Sequence, residues 1–151
     1  DKRIHQAAAL GLSPVQAGIL ASIVYGESKE TAEQARIAGV YWNRFRTGML
    51  LQADPTVVYA WKDFTIKRVT GKYTLINSPY NTYRNVGLPP GPISIPPRDV
   101  IDKVLNLEKH DYLYFCAKED FSGYHNFAVT YEEHMVNAAK FQAALNAHNI
   151  H

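Results

Sequence analysis

Leu20, Ile23 and Val24 recur at the spacing of one helical face, and Glu27 follows them by seven, four and three positions. The periodicity puts a carboxylate on an apolar face. Ser13-Pro14-Val15-Gln16 predicts where this helix starts: a capping serine, a proline in the first turn and a glutamine three residues after the cap. The helix is expected to run to Tyr25 or Gly26 and to carry Glu27 at its end. Thr31-Ala32-Glu33-Gln34 repeats the capping pattern. It predicts a second helix with Ile37, Val40, Tyr41 and Phe45 at helical spacing and a stop near Gly48.

Asp54-Pro55 can cap a short helix through "TVVYAW", although the β-branched residues there also suit a strand. Residues 77–97 show little periodicity. They hold six prolines and three apolar anchors, Tyr80, Tyr83 and Leu88. A long loop in a small domain is either functional or slack, and the anchors argue against slack. A helix is expected from Pro97 to Asn106. "DYLYFCAK" and "GYHNFAV" read as two strands around the turn "EDFSG". Thr130-Tyr131-Glu132-Glu133 is a third capping box, opening a helix with His134, Ala138, Phe141 and Leu145 on one face. The pattern predicts an α+β fold: a mainly helical single domain with a small antiparallel hairpin.

Composition narrows the function classes. The chain has 151 residues, 46% hydrophobic and 20% charged, which suits one domain with a real core rather than a disordered segment. A net charge of +2, with the basic residues scattered, does not announce a nucleic-acid binder. Ten tyrosines are many for this length. Their flat rings and polar tips suit sugar or peptide grooves, and equally suit ordinary half-buried positions. Cys116 has no second cysteine to pair with and reads as an apolar filler in its strand. No signal peptide and no apolar run of transmembrane length is visible. The abrupt opening "DKRIHQAAALGLSP" reads as a domain cut from a longer protein.

Glu27 has two readings on residues alone. Aimed along an apolar face, a glutamate keeps its proton at neutral pH and becomes a usable general acid. Alternatively it is a structural carboxylate paired with an arginine such as Arg44. Asp54 is a helix cap, a second carboxylate, or both. Gln52 is a hydrogen-bonding partner for an N-acetyl group or for Glu27, or a solvated loop residue. Ser78, Tyr80, Asn81, Thr82 and Tyr83 are either turn chemistry around Pro79 or a cleft wall that holds sugar hydroxyls and covers a sugar face. Asn43 reaches the site or faces solvent. His125 and His134 lie on a strand and a helix without zinc-ligand spacing, so no metal is expected. His134 reads as a satisfied core histidine; His148 and His151 lie at the tail and are expected to play no part.

Four separated blocks then point to a family. "ILASIVYGES", "GVYWNRFRTGMLLQADPTVVYA", "YNTYRNVGLPPGPIS" and "YLYFCAKEDFSGYHNFAVTYEEH" together resemble the MltG/YceG-like endolytic murein transglycosylases. The resemblance runs from Leu10 to His134. Glu27-Ser28 is also similar to the Glu-Ser pair of other lytic transglycosylases and of goose-type lysozymes, which implies a lysozyme-like catalytic helix end. Relatives often carry a further acid before the catalytic one, where this chain has Tyr25 and Gly26. Others place Asn where it has Met135.

The resemblance implies an enzyme that cleaves the MurNAc-GlcNAc bond within peptidoglycan strands and leaves 1,6-anhydroMurNAc ends, with Glu27 as acid and then base. It makes Asn43, Gln52, Asp54, Ser78, Tyr80, Asn81, Tyr83 and His125 the substrate-binding candidates, with no cofactor. It further implies peptidoglycan as substrate, synthases as partners, a place on the extracytoplasmic side of the inner membrane, and an N-terminal membrane helix and LysM-like region preceding the catalytic domain, 1–151. The rivals are a muramidase that uses Asp54 on the same bond and a peptidoglycan-binding module without activity.

Overall fold

A computed structural model describes residues 2–148. In chain order these form α1 (Lys2–Ala9), α2 (Pro14–Glu27), α3 (Thr31–Arg46), α4 (Asp54–Trp61), a 3-10 turn (Gly71–Leu75), α5 (Arg98–Leu105), β1 (Tyr114–Ala117), β2 (His125–Ala128) and α6 (Tyr131–Ala147). The mainly helical α+β fold with one antiparallel hairpin is the one the pattern predicts.

Helix α2 is the spine. Its capping box forms as expected: the Ser13 hydroxyl accepts from the Gln16 amide at 3.1 Å, and the Gln16 side chain accepts from the Ser13 amide at 2.9 Å. The helix is buried on more than one face, with Ile19, Leu20, Ala21, Ser22, Ile23 and Val24 all inside. A helix enclosed in this way belongs to the middle of a core. Helices α1, α3, α4 and α5 pack around it. Leu12, Ile37, Tyr41, Leu51, Val100 and Val104 complete the apolar interior. The loop after residue 88 is stitched to this spine, since the Ile93 amide donates to the Ser22 hydroxyl at 3.1 Å.

Two predicted caps are corrected. Glu30, not Thr31, occupies the N-cap of α3, without a side-chain cap bond. Gln34, three residues after Thr31, makes no return bond and donates instead to the Ser28 carbonyl at 2.9 Å, while Glu33 accepts from His125. At α4 the N-cap is Ala53, and Asp54 is already helical with no cap bond. Its carboxylate still lies in the first turn, where the helix dipole favours an anion. The "TVVYAW" segment is helical, so packing against α2 outweighs its β-branched residues.

Successive side chains of α3 tie the domain together. The Trp42 indole donates to the Leu10 carbonyl at 2.8 Å. The Asn43 amide donates to the carbonyls of His110 and Tyr112 at 2.8 and 3.0 Å. Arg44 donates to those of Leu113 and Leu50 at 2.6 and 2.7 Å. Gly39 permits the close approach this requires, because a Cβ there would lie 2.3 Å from the Glu108 carbonyl oxygen. The segment leading to β1 is thereby fixed against α3. The hairpin pairs Phe115 with Phe127 and Ala117 with His125, and α6 packs across it, opening with the predicted Thr130–Glu133 capping box. Among the described residues no single helix is long and apolar enough to cross a membrane.

Candidate active site

The C-terminal end of α2 opens into a cavity of about 470 Å³, walled by α3, the start of α4, the hairpin and α6. Glu27 lines it with Tyr41, Arg44, Gln52, Asp54, Tyr83 and His125. Gly26 sets how closely α2 meets α4 here. A Cβ on Gly26 would lie 2.9 Å from the Pro55 ring, so a larger residue would push Glu27 away from Asp54.

Glu27 is half-buried, with its open side on the cavity. Tyr41, itself enclosed, donates its hydroxyl to Glu27 Oε1 at 2.7 Å. Burial first, and the nearby Asp54 charge second, push the Glu27 carboxyl up to about 8, while the Tyr41 hydrogen bond pulls the other way. Desolvation wins because one hydrogen bond replaces less than a full hydration shell. Asp54 keeps exposed surface at the rim of the cavity. Its carboxylate accepts from the Tyr83 hydroxyl. Crowding by protein raises its pKa, and that bond opposes the rise. The two carboxyls thus each carry a tyrosine and differ in exposure. That difference lets one hold a proton while the other is charged.

Arg44, the candidate ion-pair partner of Glu27, is committed elsewhere. Its guanidinium serves two backbone carbonyls and lies 4.9 Å from the Tyr114 ring centre. Among the described residues Glu27 has no ion pair. Burial and the lack of a counter-charge therefore favour a neutral Glu27 over a structural anion.

The candidate binding residues divide. Gln52, Asp54, Tyr83 and His125 line the same cavity as Glu27. Gln52 holds a left-handed backbone, φ 49°, at a non-glycine position. Its amide donates to the Thr82 carbonyl at 3.2 Å, which fixes that conformation from the neighbouring loop. His125 Nδ1 lies 2.9 Å from Glu33 Oε1.

Four others face away from the cavity. Asn43 is 3% exposed and anchors the chain before β1. Ser78 accepts from the Tyr80 amide in a local turn. Tyr80 packs against Tyr59 with ring centres 4.9 Å apart and planes tilted by 43°. Asn81 is fully buried: its amide donates to the carbonyls of Thr74 and Ile76, and its oxygen accepts from the Tyr83 amide. The expected wall of the groove therefore reduces to Tyr83, and Asn81 is the post that holds it. Thr82 does similar work, accepting from the Ala53 amide at 2.8 Å and so bracing the start of α4.

Other cavity residues escaped sequence reasoning. Tyr41 sits at core spacing on α3, and nothing local marks its hydroxyl as the partner of a carboxyl fourteen positions earlier. Glu33, outside the cavity but bonded to its His125, was hidden within an apparent capping pattern. His134 is not a core histidine: it is half-buried on the cavity wall, stacked on Tyr114 at 5.1 Å, with Nδ1 unpartnered. Cys116, expected as buried filler, is also half-buried on that wall. No group of His, Cys, Asp and Glu suited to a metal ion occurs among the described residues. His148 lies at the end of α6 beside Phe121; His151 falls outside the described residues.

The chain matches the YceG-like family over residues 1–140. It belongs to that family. Among its relatives, the endolytic murein transglycosylase of Bacillus subtilis (strain 168) is 42% identical over 130 residues. The one from Streptococcus pneumoniae serotype 2 (strain D39 / NCTC 7466) is 37% identical over 125. These alignments take in 84% and 80% of this chain but only 34% and 22% of the relatives, so the chain spans about a third of the length of one and under a quarter of the other. A crystal structure of a YceG-like protein from Listeria monocytogenes superposes with a TM-score of 0.81 at 38% identity, covering 89% of this chain and 43% of that one. The YceG-like fold thus holds Glu27 at a helix end beside a walled cavity.

Proposed function

We propose that this chain is the catalytic domain of a peptidoglycan lytic transglycosylase, with Glu27 as the group that moves protons. The observation that carries the reading is a single carboxyl, held neutral near pH 7 by burial and facing a cavity large enough for a sugar ligand. Membership of a family whose curated relatives are named endolytic murein transglycosylases supports the substrate.

The chemistry follows from the geometry. Tyr41 donates to Oε1, so the acid proton of neutral Glu27 is carried on Oε2. That proton passes to the glycosidic oxygen as the bond from the muramic acid C1 breaks. The departing sugar takes the electron pair, leaving oxocarbenium-like charge on the muramic acid ring. The ring's own 6-hydroxyl then attacks C1, and the Glu27 carboxylate accepts its proton. Glu27 ends as it began, no water is consumed, and the product carries a 1,6-anhydro ring. Asp54, charged and held by Tyr83, stabilises the transient positive charge through space. Gln52 and His125, the latter aligned by Glu33, supply hydrogen-bonding groups to the sugar.

A domain with this activity works where murein lies, outside the cytoplasmic membrane, beside the enzymes that build the strands. One rival keeps a specific observation in its favour. Asp54 lines the same cavity, so a hydrolase with Asp54 as second carboxylate would use the same groove. Glu27→Gln tests the common step. A folded variant should lose at least ~10² to 10⁴ in cleavage rate, the usual worth of a positioned acid or base. Wild-type turnover by the folded variant would end the assignment.

A further inference from the structure

A second cavity, of about 370 Å³, opens on another side of the same two carboxyls. It shares Glu27 and Asp54 with the first cavity and no other residue. Most of its remaining wall comes from the end of α2, the length of α4 and the loop that follows, with Tyr25, Pro55, Val58, Tyr59, Phe64 and Ile66 among them, and Ile93 and Ser94 close it. The two cavities thus meet at Glu27 and Asp54. Phe64 is 74% exposed at its rim, although a large aromatic ring gains nothing from water.

Two cations stand on this wall, Lys29 and Lys67. Both come from outside the carboxyl pair, Lys29 just after α2 and Lys67 in the loop beyond α4. Lys29 is held in place: its ammonium donates to the Tyr25 carbonyl at 2.6 Å and lies 3.4 Å from the Tyr25 ring centre. Partial burial also lowers its pKa. A fixed ammonium loses less freedom on pairing than a free one. Lys67 is exposed and faces the same space. The first cavity has no lysine, and its arginine is spent on backbone carbonyls.

From this we infer that the second cavity is an anion-reading subsite, which seats a saccharide unit on Tyr25, Tyr59 and Phe64 and pairs a carboxylate of its muramic acid substituent with Lys29 and Lys67. The inference rests on the transglycosylase reading for the identity of the polymer. The carboxylate is either that of the lactyl group or one on the attached stem peptide; the chemistry is the same and the probes below separate the two. The consequence is a preference for muramic-acid strands over neutral strands of N-acetylglucosamine, set by charge rather than by the catalytic carboxyl.

Binding to the Glu27→Gln form, which holds the probe uncleaved, tests this by calorimetry or NMR titration. Three probes are compared: chitotetraose, a peptide-free tetrasaccharide of alternating GlcNAc and MurNAc, and the same tetrasaccharide with stem peptides. Exposed ion pairs contribute roughly 1.5- to 5-fold each in affinity. Adding Lys29→Gln and Lys67→Gln together should therefore weaken a carboxylated probe by roughly 2- to 25-fold and leave chitotetraose essentially unchanged. The difference should shrink in 0.5 M salt, as screening requires. The lactyl carboxylate is free only in the peptide-free probe, because a stem peptide is joined to it through an amide. Loss with the peptide-free probe alone assigns the lactyl group, loss with the peptide-bearing probe alone assigns the peptide, and loss with both shows that the two lysines take either carboxylate; each supports the subsite. Equal loss for all three probes, or no loss for either carboxylated one, overturns it. Products from wild-type protein are scored separately. A hydrolytic product would sink the transglycosylase chemistry while leaving the charge dependence of binding to stand or fall alone.

Discussion

Replacing Glu27 with glutamine should make the protein more stable at alkaline pH, although it abolishes the proposed acid. The carboxyl titrates near 8 in the folded chain, against 4.5 for an unperturbed glutamate. Between those values the native state keeps a proton that the unfolded chain has released. Stability therefore falls as pH rises across the window, by at most ~1.4 kcal/mol per pH unit. Below pH 4.5 both states are protonated and nothing is lost; above about 8 the loss is complete. The ceiling is ~5 kcal/mol, and water entering the open side of the cavity should reduce the realised loss to roughly 2–4 kcal/mol. Glutamine keeps the size of the side chain and an oxygen to accept from Tyr41, but cannot ionise. Other titrating groups are common to both proteins and cancel in the difference. Urea unfolding of both at pH 5, 7 and 9 measures it. The variant's advantage should be near zero at pH 5 and should grow with each step. Parallel pH dependences for the two proteins would show that Glu27 titrates normally, and the burial argument would fail.

Three further substitutions probe its surroundings. Asp54→Asn removes a negative charge that raises the Glu27 pKa, so the alkaline limb of the cleavage pH profile should move to lower pH; an unmoved limb would separate the two carboxyls electrostatically. Tyr41→Phe removes the bond that lowers that pKa, so the same limb should move to higher pH while the rate drops, and a shift the other way would contradict the stated hydrogen bond. Asn81→Ala leaves the Thr74 and Ile76 carbonyls and the Tyr83 amide without their partner. It should cost about 1–3 kcal/mol, read as a Tm several degrees lower, and an unchanged Tm would refute the post-like role.

The parts of this arrangement that announced themselves in the sequence are the local ones. Glu27 was visible because its helix is short-range: the capping box at Ser13 fixes the start and the apolar repeat fixes the direction of the carboxyl. The Thr130 box and the hairpin were visible for the same reason. The misreadings share a different cause. Asn81 sits in a polar, aromatic loop that looks like a groove wall, and only the folded backbone shows two carbonyls turned inward for it to satisfy. Thr31 and Gln34 have cap spacing, yet the helix starts one residue earlier and Gln34 turns to the Ser28 carbonyl, while Glu33 beside it is taken up by His125, 92 positions away. Asp54 resembles a cap before proline, but Ala53 takes that place and Tyr83 takes the carboxylate. Tyr41 was unreadable because a tyrosine at core spacing is ordinarily only core. Local propensity locates the helix that carries Glu27, and long-range hydrogen bonding decides which polar side chains reach the cavity.

The mass of the products from purified sacculi tests the central claim most directly. One carboxyl acting as acid and then base, with the 6-hydroxyl as nucleophile, predicts muropeptides ending in 1,6-anhydro-muramic acid, each lighter by one water than a hydrolysed end. Fully hydrated ends would contradict the account and move Asp54 into the chemistry, and sacculi left intact by folded protein would reduce the chain to a binding domain.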